Sequence, residues 1–251
     1  MKKILTFLVV SLLAVALFGC SSNEKESNVL TMATEATFEP YEYYDGEEIV
    51  GIDVEIAKAI AEKLGKELEV IDIEFDAIVS SVQAGKYDMG MAGLTVTDER
   101  KQQVNFSDSY ANGVQVIIVK EGSPITSVDD LFVEGNNYVV GVQSGTTAFI
   151  YATGDIEDAG LGTVKSFQKN TDTATALVND QIDCIIIDNE PAKKIVENNA
   201  GLKILDTEYS NEEYAIAINK DNIQLYTEVN EALAQLIQDG TVADILAKYI
   251  G

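Results

Sequence analysis

The chain contains a single arginine, Arg100, at the end of the polar run 94–100 (LTVTDER). All of its other basic side chains are lysines. A guanidinium group differs from an ammonium group because its planar fork can donate two parallel hydrogen bonds to one carboxylate. The sequence therefore indicates that Arg100 could clamp a carboxylate. The alternative is a surface arginine in a lysine-rich chain.

Two further segments carry groups that suit a small charged ligand. Gly145, Thr146 and Thr147 follow a predicted strand and begin a predicted helix, so their backbone N–H groups could meet the same carboxylate. A plain strand-to-helix turn is the alternative. Asp188 follows the apolar run 185–187 and would suit an ammonium group at the end of a strand. There the alternative is a helix cap.

Histidine is absent from the sequence. Its absence removes the commonest general base, the commonest zinc ligand and the Ser-His-Asp and Cys-His arrangements of nucleophilic catalysis. We therefore expect no catalytic residues, no metal and no cofactor. The two cysteines are Cys20 and Cys184, and the apolar run after Cys184 predicts a buried, inert thiol.

The N-terminus has the pattern of a secretory leader. Lys2 and Lys3 precede an apolar run, 4–18, that is too short to span a bilayer comfortably. The following Gly19-Cys20 resembles a bacterial lipobox, which implies that residues 1–19 are a lipoprotein signal peptide and that Cys20 carries the lipid. An ordinary signal peptide is the alternative. Residues 20–28 are predicted to be a flexible tether, and the protein to be extracytoplasmic and lipid-anchored to the cell membrane.

The chain is strongly acidic, with a formal net charge of −25. Loss of Lys2 and Lys3 with the leader would make this charge more negative by two. Such a charge repels phosphate backbones and anionic lipid headgroups. We therefore expect no nucleic-acid partner, and membrane contact only through the lipid on Cys20.

Strand and helix patterns alternate along the rest of the chain, which predicts an α/β fold. Apolar residues at 54, 56, 57, 60, 61 and 64 predict a helix over 53–64, with Asp53 as N-cap and Gly65 as its end. The other predicted helices are 76–83, 128–132, 171–178, 191–198, 223–238 and 242–249. The predicted strands are 29–33, 68–75, 87–92, 114–119, 138–142, 182–187 and 214–218.

Segment 51–61 (GIDVEIAKAIA) resembles the signature helix of family 3 of the bacterial extracellular solute-binding proteins, the polar amino-acid-binding proteins of ABC importers. Segments 33–41, 75–76, 91–100, 142–147 and 185–188 resemble the same family in its order and spacing. The resemblance covers essentially the whole chain after the leader. It implies a two-lobed periplasmic-binding-protein-like fold of type II, with two α/β lobes joined by two hinge segments.

The resemblance places lobe 1 at residues 29–111 plus 213–251 and lobe 2 at residues 113–211. The chain would cross between the lobes near 111–113 and 210–212. Both segments are small and polar, as a hinge that absorbs backbone rotation needs to be.

The resemblance also implies a role for each group around a free amino acid, whose charges need partners once water is expelled. Arg100 would clamp the ligand's carboxylate, and the backbone at Thr146 and Thr147 would meet that carboxylate from the other lobe. Asp188 would bind the ammonium, together with the Thr95 hydroxyl and the Gly93 carbonyl.

The side-chain subsite is implied in the same way. Phe38 and Phe75 match positions whose rings sandwich the ligand's side chain, with core packing as the alternative, and Glu35 matches an acidic position at the far end. Two aromatic faces and a carboxylate suit an extended cation, so we expect arginine, lysine, histidine or ornithine. Glutamine remains an alternative. Gln143 matches a rim position where glutamine-binding proteins often have lysine, which also favours a cation.

These features predict a non-enzymatic, monomeric substrate-binding component of an ABC importer that delivers a free amino acid to a membrane permease. Two alternatives belong to other classes. The same fold hosts prephenate and arogenate dehydratases, in which Glu35 could serve as the general acid. It also serves as an extracellular sensory domain.

Overall fold

The structure is a computed structural model that describes residues 28–251. The predicted leader, most of the predicted tether and Cys20 lie outside the described residues. Among the described residues, no helix is long and apolar enough to cross a membrane.

The described residues form thirteen strands and eight α-helices. The strands are β1 (Val29–Thr34), β2 (Thr37–Phe38), β3 (Glu42–Asp45), β4 (Glu48–Val50), β5 (Glu67–Asp72), β6 (Met89–Gly90), β7 (Val104–Phe106), β8 (Ala111–Lys120), β9 (Tyr138–Gln143), β10 (Gly162–Phe167), β11 (Cys184–Asp188), β12 (Leu202–Tyr214) and β13 (Ala217–Asn219). The helices are α1 (Ile52–Leu64), α2 (Ile78–Gln83), α3 (Asp98–Gln103), α4 (Thr147–Ala152), α5 (Asn170–Val178), α6 (Asn189–Asn198), α7 (Ile223–Gln238) and α8 (Thr241–Ile250). Phe75–Ala77 and Val128–Phe132 form short 3-10 helices, and Thr153–Glu157 forms a π-helical turn.

Two five-stranded sheets carry the fold, each mixing parallel and antiparallel pairs. The first has the order β5-β1-β6-β13-β7, with β1 parallel to β5 and β6 and with β13 antiparallel to its neighbours. The second has the order β10-β9-β11-β8-β12 and takes all its strands from residues 111–214. The strands β2, β3 and β4 form a small third sheet. The α/β architecture expected from the sequence is therefore present.

Helix α1 packs against the first sheet, and its sequence explains both its buried face and its ends. Its buried stripe follows the predicted period and includes Ile52, Ile56 and Ile60. Gly65 ends the helix in the left-handed conformation, as predicted. The predicted N-cap is wrong: Gly51, at φ 128°, occupies that position, because a side chain there would collide with the Tyr41 carbonyl. Asp53 instead lies inside the first turn, fully buried.

Most predicted elements appear with shifted ends. The predicted strand 214–218 is wrong as one unit, because Tyr214 ends β12 in the second sheet and Ala217 begins β13 in the first. The predicted strand 68–75 ends early at Asp72, since Phe75 begins a 3-10 helix. The three-stranded sheet, α3, β7, β10 and residues 202–213 of β12 were not predicted, because these short, polar or bulged stretches carry little periodicity.

The two segments predicted to cross between the lobes lie side by side. Strands β8 and β12 pair antiparallel, and their ladder places Gly113 opposite Glu212 and Ala111 opposite Tyr214. The chain thus passes between the two large sheets through one two-stranded ladder. The lobe boundaries themselves remain a prediction.

Cys184 lies in the core of the second sheet as a free, fully buried thiol. Burial holds the pKa of this thiol well above its usual range. A thiol that stays protonated is a poor nucleophile, which agrees with the inert role expected for it.

Candidate functional site

All of the predicted binding residues line one cavity, whose space of about 440 Å³ includes part of the open solvent. One wall consists of Glu35, Phe38, Phe75, Gly93, Thr95 and Arg100, and the other of Gln143, Thr146, Thr147 and Asp188. The cavity also contacts residues that the sequence analysis did not single out, including Glu42 and Asn170. The structure therefore brings the predicted set together between its two large sheets.

Arg100 is a buried cation, only 6% exposed, so the surface alternative is wrong. The hydroxyl of Thr97 caps α3 and accepts from the Arg100 backbone N–H at 3.2 Å, which fixes where the side chain leaves the helix. The Nη1 atom of Arg100 donates to the Thr95 carbonyl at 2.7 Å, and its Nη2 atom donates to the Gly145 carbonyl at 3.0 Å. The guanidinium also lies 5.5 Å from the centre of the Phe75 ring.

The guanidinium forms no ion pair within residues 28–251. Burial lowers the pKa of Arg100 to about 10, so the group remains a cation at neutral pH. Glu212 and Asp188 favour the charged form of Arg100 electrostatically without forming an ion pair with it, and an anionic ligand would supply a direct partner.

The opposite wall of the cavity includes the N-terminus of α4, where the hydroxyls of Thr146 and Thr147 already have hydrogen-bond partners. The Thr146 hydroxyl accepts from Phe149 N–H at 3.2 Å and donates to the Gln143 carbonyl at 2.8 Å. The Thr147 hydroxyl accepts from Gln115 at 2.8 Å and donates to Glu212 at 3.1 Å. The hydroxyls of both threonines are therefore occupied, and it is their backbone N–H groups that could bind a ligand. The first N–H groups of a helix have no partner within the helix.

Asp188 ends β11 and occupies the N-cap position of α6, yet its side chain makes no capping hydrogen bond. Its carboxylate accepts instead from the hydroxyl of Tyr214, the buried last residue of β12. Burial raises the pKa of Asp188 to about 7, and the Tyr214 hydrogen bond opposes that rise. The helix-cap alternative is therefore wrong for this side chain, and a cation beside it would favour its charged form.

Gly113 makes room for the contact between Tyr214 and Asp188. A Cβ atom added at Gly113 would collide with the Tyr214 hydroxyl and lie 2.7 Å from the Asp188 carboxylate. We expect Gly113→Ala to separate the two groups and to weaken ligand binding by about 1–3 kcal/mol, the usual range for overpacking. Titration calorimetry with the ligand would measure this. The control is Gly154→Ala, because a Cβ at Gly154 meets nothing within 4 Å. Equal affinity of the two variants would show that the contact does not support the site.

The backbone of Gly93 and Thr95 forms the part of the cavity wall next to Arg100. Gly93 has a φ of 51°, and its N–H donates to Asp53 at 2.9 Å. A side chain at Gly93 would lie 2.7 Å from the Phe38 ring, so the backbone there approaches the ring closely. Thr95 is buried and forms a backbone bridge with Tyr214, while its carbonyl holds Arg100.

The predicted side-chain subsite has aromatic walls and a carboxyl group. Phe38 is buried and stacks on Tyr41 with ring centres 5.7 Å apart, whereas Phe75 is partly buried beneath Arg100. Glu35 is 3% exposed and accepts from the Thr37 hydroxyl at 2.7 and 2.9 Å. Burial raises the pKa of Glu35 above its ordinary value.

Gln143 is held in one orientation by two residues around the start of α5. Asn170 donates to its side-chain oxygen at 2.7 Å, and its side-chain nitrogen donates to the Gln168 carbonyl at 2.8 Å. The same nitrogen lies 3.5 Å from Glu35. Gln143 therefore presents a donor, not an acceptor, to the carboxyl group across the cavity.

Three residues of this site, Glu42, Asn170 and Tyr214, were missed in the sequence. Asn170 begins α5, where an asparagine is typical of a helix start, and Tyr214 lies in an apolar stretch typical of a core strand. Glu42 stands in a short polar run, 42–48, that carries no periodic signal. Their partners are distant in the chain, so local pattern could not have identified them.

The chain belongs to the bacterial extracellular solute-binding proteins, family 3, whose family model matches residues 30–251. It is similar to the arginine-binding extracellular protein ArtP of Bacillus subtilis, with 33% identity over 256 residues that cover 99% of this chain and 98% of that protein.

Solved structures agree with this family. An ancestral arginine-binding protein bound to arginine matches with a TM-score of 0.83 and 39% identity, over 89% of this chain and 99% of that chain. The ancestral amino-acid-binding protein AncCDT-1, a precursor of cyclohexadienyl dehydratase, matches with a TM-score of 0.80 and 30% identity, over 89% of this chain and 96% of that chain. The expected two-lobed fold is confirmed by these neighbours.

Proposed function

We propose that this protein is the substrate-binding component of an ABC amino-acid importer, which captures a free basic amino acid and delivers it to a membrane permease. The observation that carries the proposal is the buried Arg100 guanidinium, which forms no ion pair within residues 28–251 and faces a cavity whose carboxyl groups include Asp188 and Glu35. The arginine-binding relatives support the same ligand class.

The charges of a basic amino acid match those of the cavity. Such a ligand carries a carboxylate, an ammonium and a cationic side chain. Arg100 would pair with the first, Asp188 with the second and Glu35 with the third. Because each buried charge then gains an opposite partner, the cost of removing both ligand and site from water is offset.

The side-chain subsite favours a cation over glutamine. Phe38 and Phe75 offer ring faces along which a cationic stem could lie. Burial disfavours the charged form of Glu35, and a ligand cation would reverse that effect. A glutamine amide could donate to Glu35, but it would leave the carboxylate without a countercharge.

Ligand-driven closure follows from the placement of these groups on both sides of the cavity. We propose lobes at 29–111 plus 213–251 and at 113–211, hinged at the β8–β12 ladder. Arg100 already reaches the Gly145 carbonyl, and Tyr214 reaches Asp188, across the proposed boundary. A ligand that contacts both walls binds the closed form better and shifts the equilibrium toward it.

A dehydratase is the second candidate, favoured by the dehydratase precursor among the neighbours and by the raised pKa of Glu35. A general acid must hold a proton and reach the leaving group. Incubation of the protein with prephenate or arogenate, followed by mass spectrometry, tests this candidate. We expect both compounds to be recovered unchanged.

We further propose that the protein works as a monomer on the outer side of the cell membrane, anchored through a lipid on Cys20. The extracellular character of the family supports this location. Mass spectrometry of the protein purified from its membrane would detect the acyl chains on Cys20. The Cys20→Ser variant should be released into the medium.

The proposal is tested by a thermal-shift screen of residues 21–251 against the common amino acids and ornithine, after unfolding and refolding to remove bound ligand. A ligand at a thousand times its Kd adds roughly 4 kcal/mol to the free energy of unfolding. We expect this response from arginine, lysine, histidine or ornithine. A response to glutamine alone would retain the receptor and contradict the basic ligand, whereas no response across the panel would contradict both.

A further inference from the structure

Glu42 is a carboxyl group in the cavity wall that the roles described above leave unused. It lines the cavity, and its residue is fully buried at 0% exposure, as is Asp53. The backbone of β3 lies against the start of α1, where Asp53 N–H donates to the Tyr41 carbonyl at 2.9 Å. The two carboxyl groups interact directly with each other.

The oxygen atoms of this pair are unequally satisfied. Asp53 Oδ2 accepts from Gly93 N–H at 2.9 Å and from the Tyr110 hydroxyl at 2.8 Å. Asp53 Oδ1 and both carboxyl oxygens of Glu42 have no donor among the described residues. Buried oxygens without a donor are costly, and most costly when charged. A proton between the two groups would satisfy two of these three atoms.

No positive charge compensates the pair. Neither carboxyl group forms an ion pair with a lysine or arginine of the described residues. The titratable groups that act on the pair are Glu35, which also lines the cavity, the Tyr110 hydroxyl and the neighbouring Tyr41, all of them acids. Two adjacent buried carboxyl groups in such surroundings cannot both ionise.

The proton belongs on Glu42. Burial and the charge of Asp53 raise the pKa of Glu42 well above its ordinary value. Burial raises the pKa of Asp53 only to about 6, because the donors Gly93 and Tyr110 stabilise its charged form. Asp53 is therefore the carboxylate of the pair, and Glu42 is the acid.

We propose that Glu42 is a neutral acid at pH 7 whose O–H donates a hydrogen bond to the Asp53 carboxylate and thereby positions Gly93 for the ligand. Asp53 holds the Gly93 N–H, and the Gly93 carbonyl is the expected acceptor for the ligand's ammonium. Glu42 is thus a positioning residue for the ammonium subsite, a role that rests on the proposed function. Its neutrality leaves Arg100, Asp188 and Glu35 as the charges that face a ligand.

The proton on Glu42 is tested by the pH dependence of stability in the absence of ligand. A folded-state pKa above the ordinary 4.5 means that the folded form holds a proton which the unfolded form has lost. Wild-type stability therefore falls as pH rises from that value to the folded pKa. Glu42→Gln removes this fall, so its unfolding constant relative to wild type should decrease by about tenfold per pH unit.

The control for that experiment is Glu47→Gln, because Glu47 is exposed in the same segment and the substitution removes the same charge. Its unfolding constant relative to wild type should not change with pH. The proposal is overturned if Glu42→Gln behaves like this control. Infrared spectra give a second readout, since the absorption of protonated carboxyl groups at pH 7 should lose the contribution of Glu42 in Glu42→Gln and keep it in Glu47→Gln.

The positioning role is tested by binding of arginine to two variants. Glu42→Gln retains a donor for Asp53 and should keep the wild-type Kd at pH 7. Glu42→Leu has no donor and should raise the Kd by about tenfold, the usual effect of leaving a buried acceptor unpaired. Equal losses in the two variants, or no loss in Glu42→Leu, would overturn the role. If Glu42→Leu does not fold, the smaller Glu42→Ala, which also lacks a donor, takes its place with the same expected rise in Kd.

The two tests separate this inference from the proposed function. The stability titration needs no ligand, so a protein that binds no amino acid would still show the proton on Glu42. Conversely, if arginine binds the wild type and the unfolding constant of Glu42→Gln relative to wild type does not change with pH, the receptor function stands and only the proton on Glu42 is contradicted.

Discussion

Arg100→Ala is expected to weaken binding of every amino-acid ligand by about 2–5 kcal/mol, because it leaves the bound carboxylate buried without a partner. The guanidinium is placed by the Thr95 and Gly145 carbonyls, not by an acid, so its charge is available to the ligand. The loss should be similar for basic and neutral amino acids, since all of them carry the same carboxylate. Titration calorimetry across several ligands measures both the size and the uniformity of the loss.

Two controls make this prediction specific. Arg100→Lys keeps the charge but not the planar fork, so we expect intermediate affinity. Lys101→Ala removes an exposed cation from the next position of α3 and should leave the affinity unchanged. Unfolding of the ligand-free variants should be followed in parallel, because Arg100→Ala also removes two hydrogen bonds. Near-wild-type affinity of Arg100→Ala would show that the carboxylate binds elsewhere.

The sequence predicted the long helices well because their buried apolar residues recur at a regular period. Helix α1 and helix α7 each bury one stripe of apolar side chains, and their predicted ends agree with the structure to within a residue. Short elements failed for the opposite reason. The three residues of β7 form a strand because β13 pairs with them, and that pairing leaves no local pattern.

The candidate binding residues could be proposed because each has a recognisable signal in the sequence. Arg100 is the single arginine, Thr146 lies at a strand-to-helix turn and Asp188 follows an apolar run. What the sequence could not supply is the network that holds them. The hydrogen bond of Tyr214 to Asp188 and that of Asn170 to Gln143 depend on how the second sheet is assembled.

Asp53 shows how a correct segment can hide a wrong role. An aspartate at the start of a helix is typical of an N-cap, and the predicted helix was real. The cap position was unavailable to it because only a glycine fits against the Tyr41 carbonyl. Asp53 therefore lies inside the first turn, where it accepts from Gly93 and Tyr110. Gly51, two residues earlier, fixes the start of the helix and so places the carboxylate beside these donors.

Glu35→Gln is expected to change which ligand the protein prefers. Loss of the carboxylate should cost basic amino acids about 1.5–3 kcal/mol, the usual worth of a hydrogen bond to a charged group. A neutral ligand such as glutamine should lose far less, because it has no charge to pair at that end of the cavity. Competition binding of arginine against glutamine, in wild type and in the variant, measures the difference directly.

The pH dependence of the same variant identifies the charge as the cause. Burial raises the pKa of Glu35, so acidification should protonate it and weaken arginine binding to the wild type. Glu35→Gln lacks that titration, so the gap between the two affinities should narrow as pH falls. Glu74→Gln, at an exposed position before Phe75, is the control and should follow the wild type. If arginine and glutamine lose equally in Glu35→Gln, then Glu35 holds Thr37 rather than the ligand. The preference for a cation would then have to come from Phe38 and Phe75 alone.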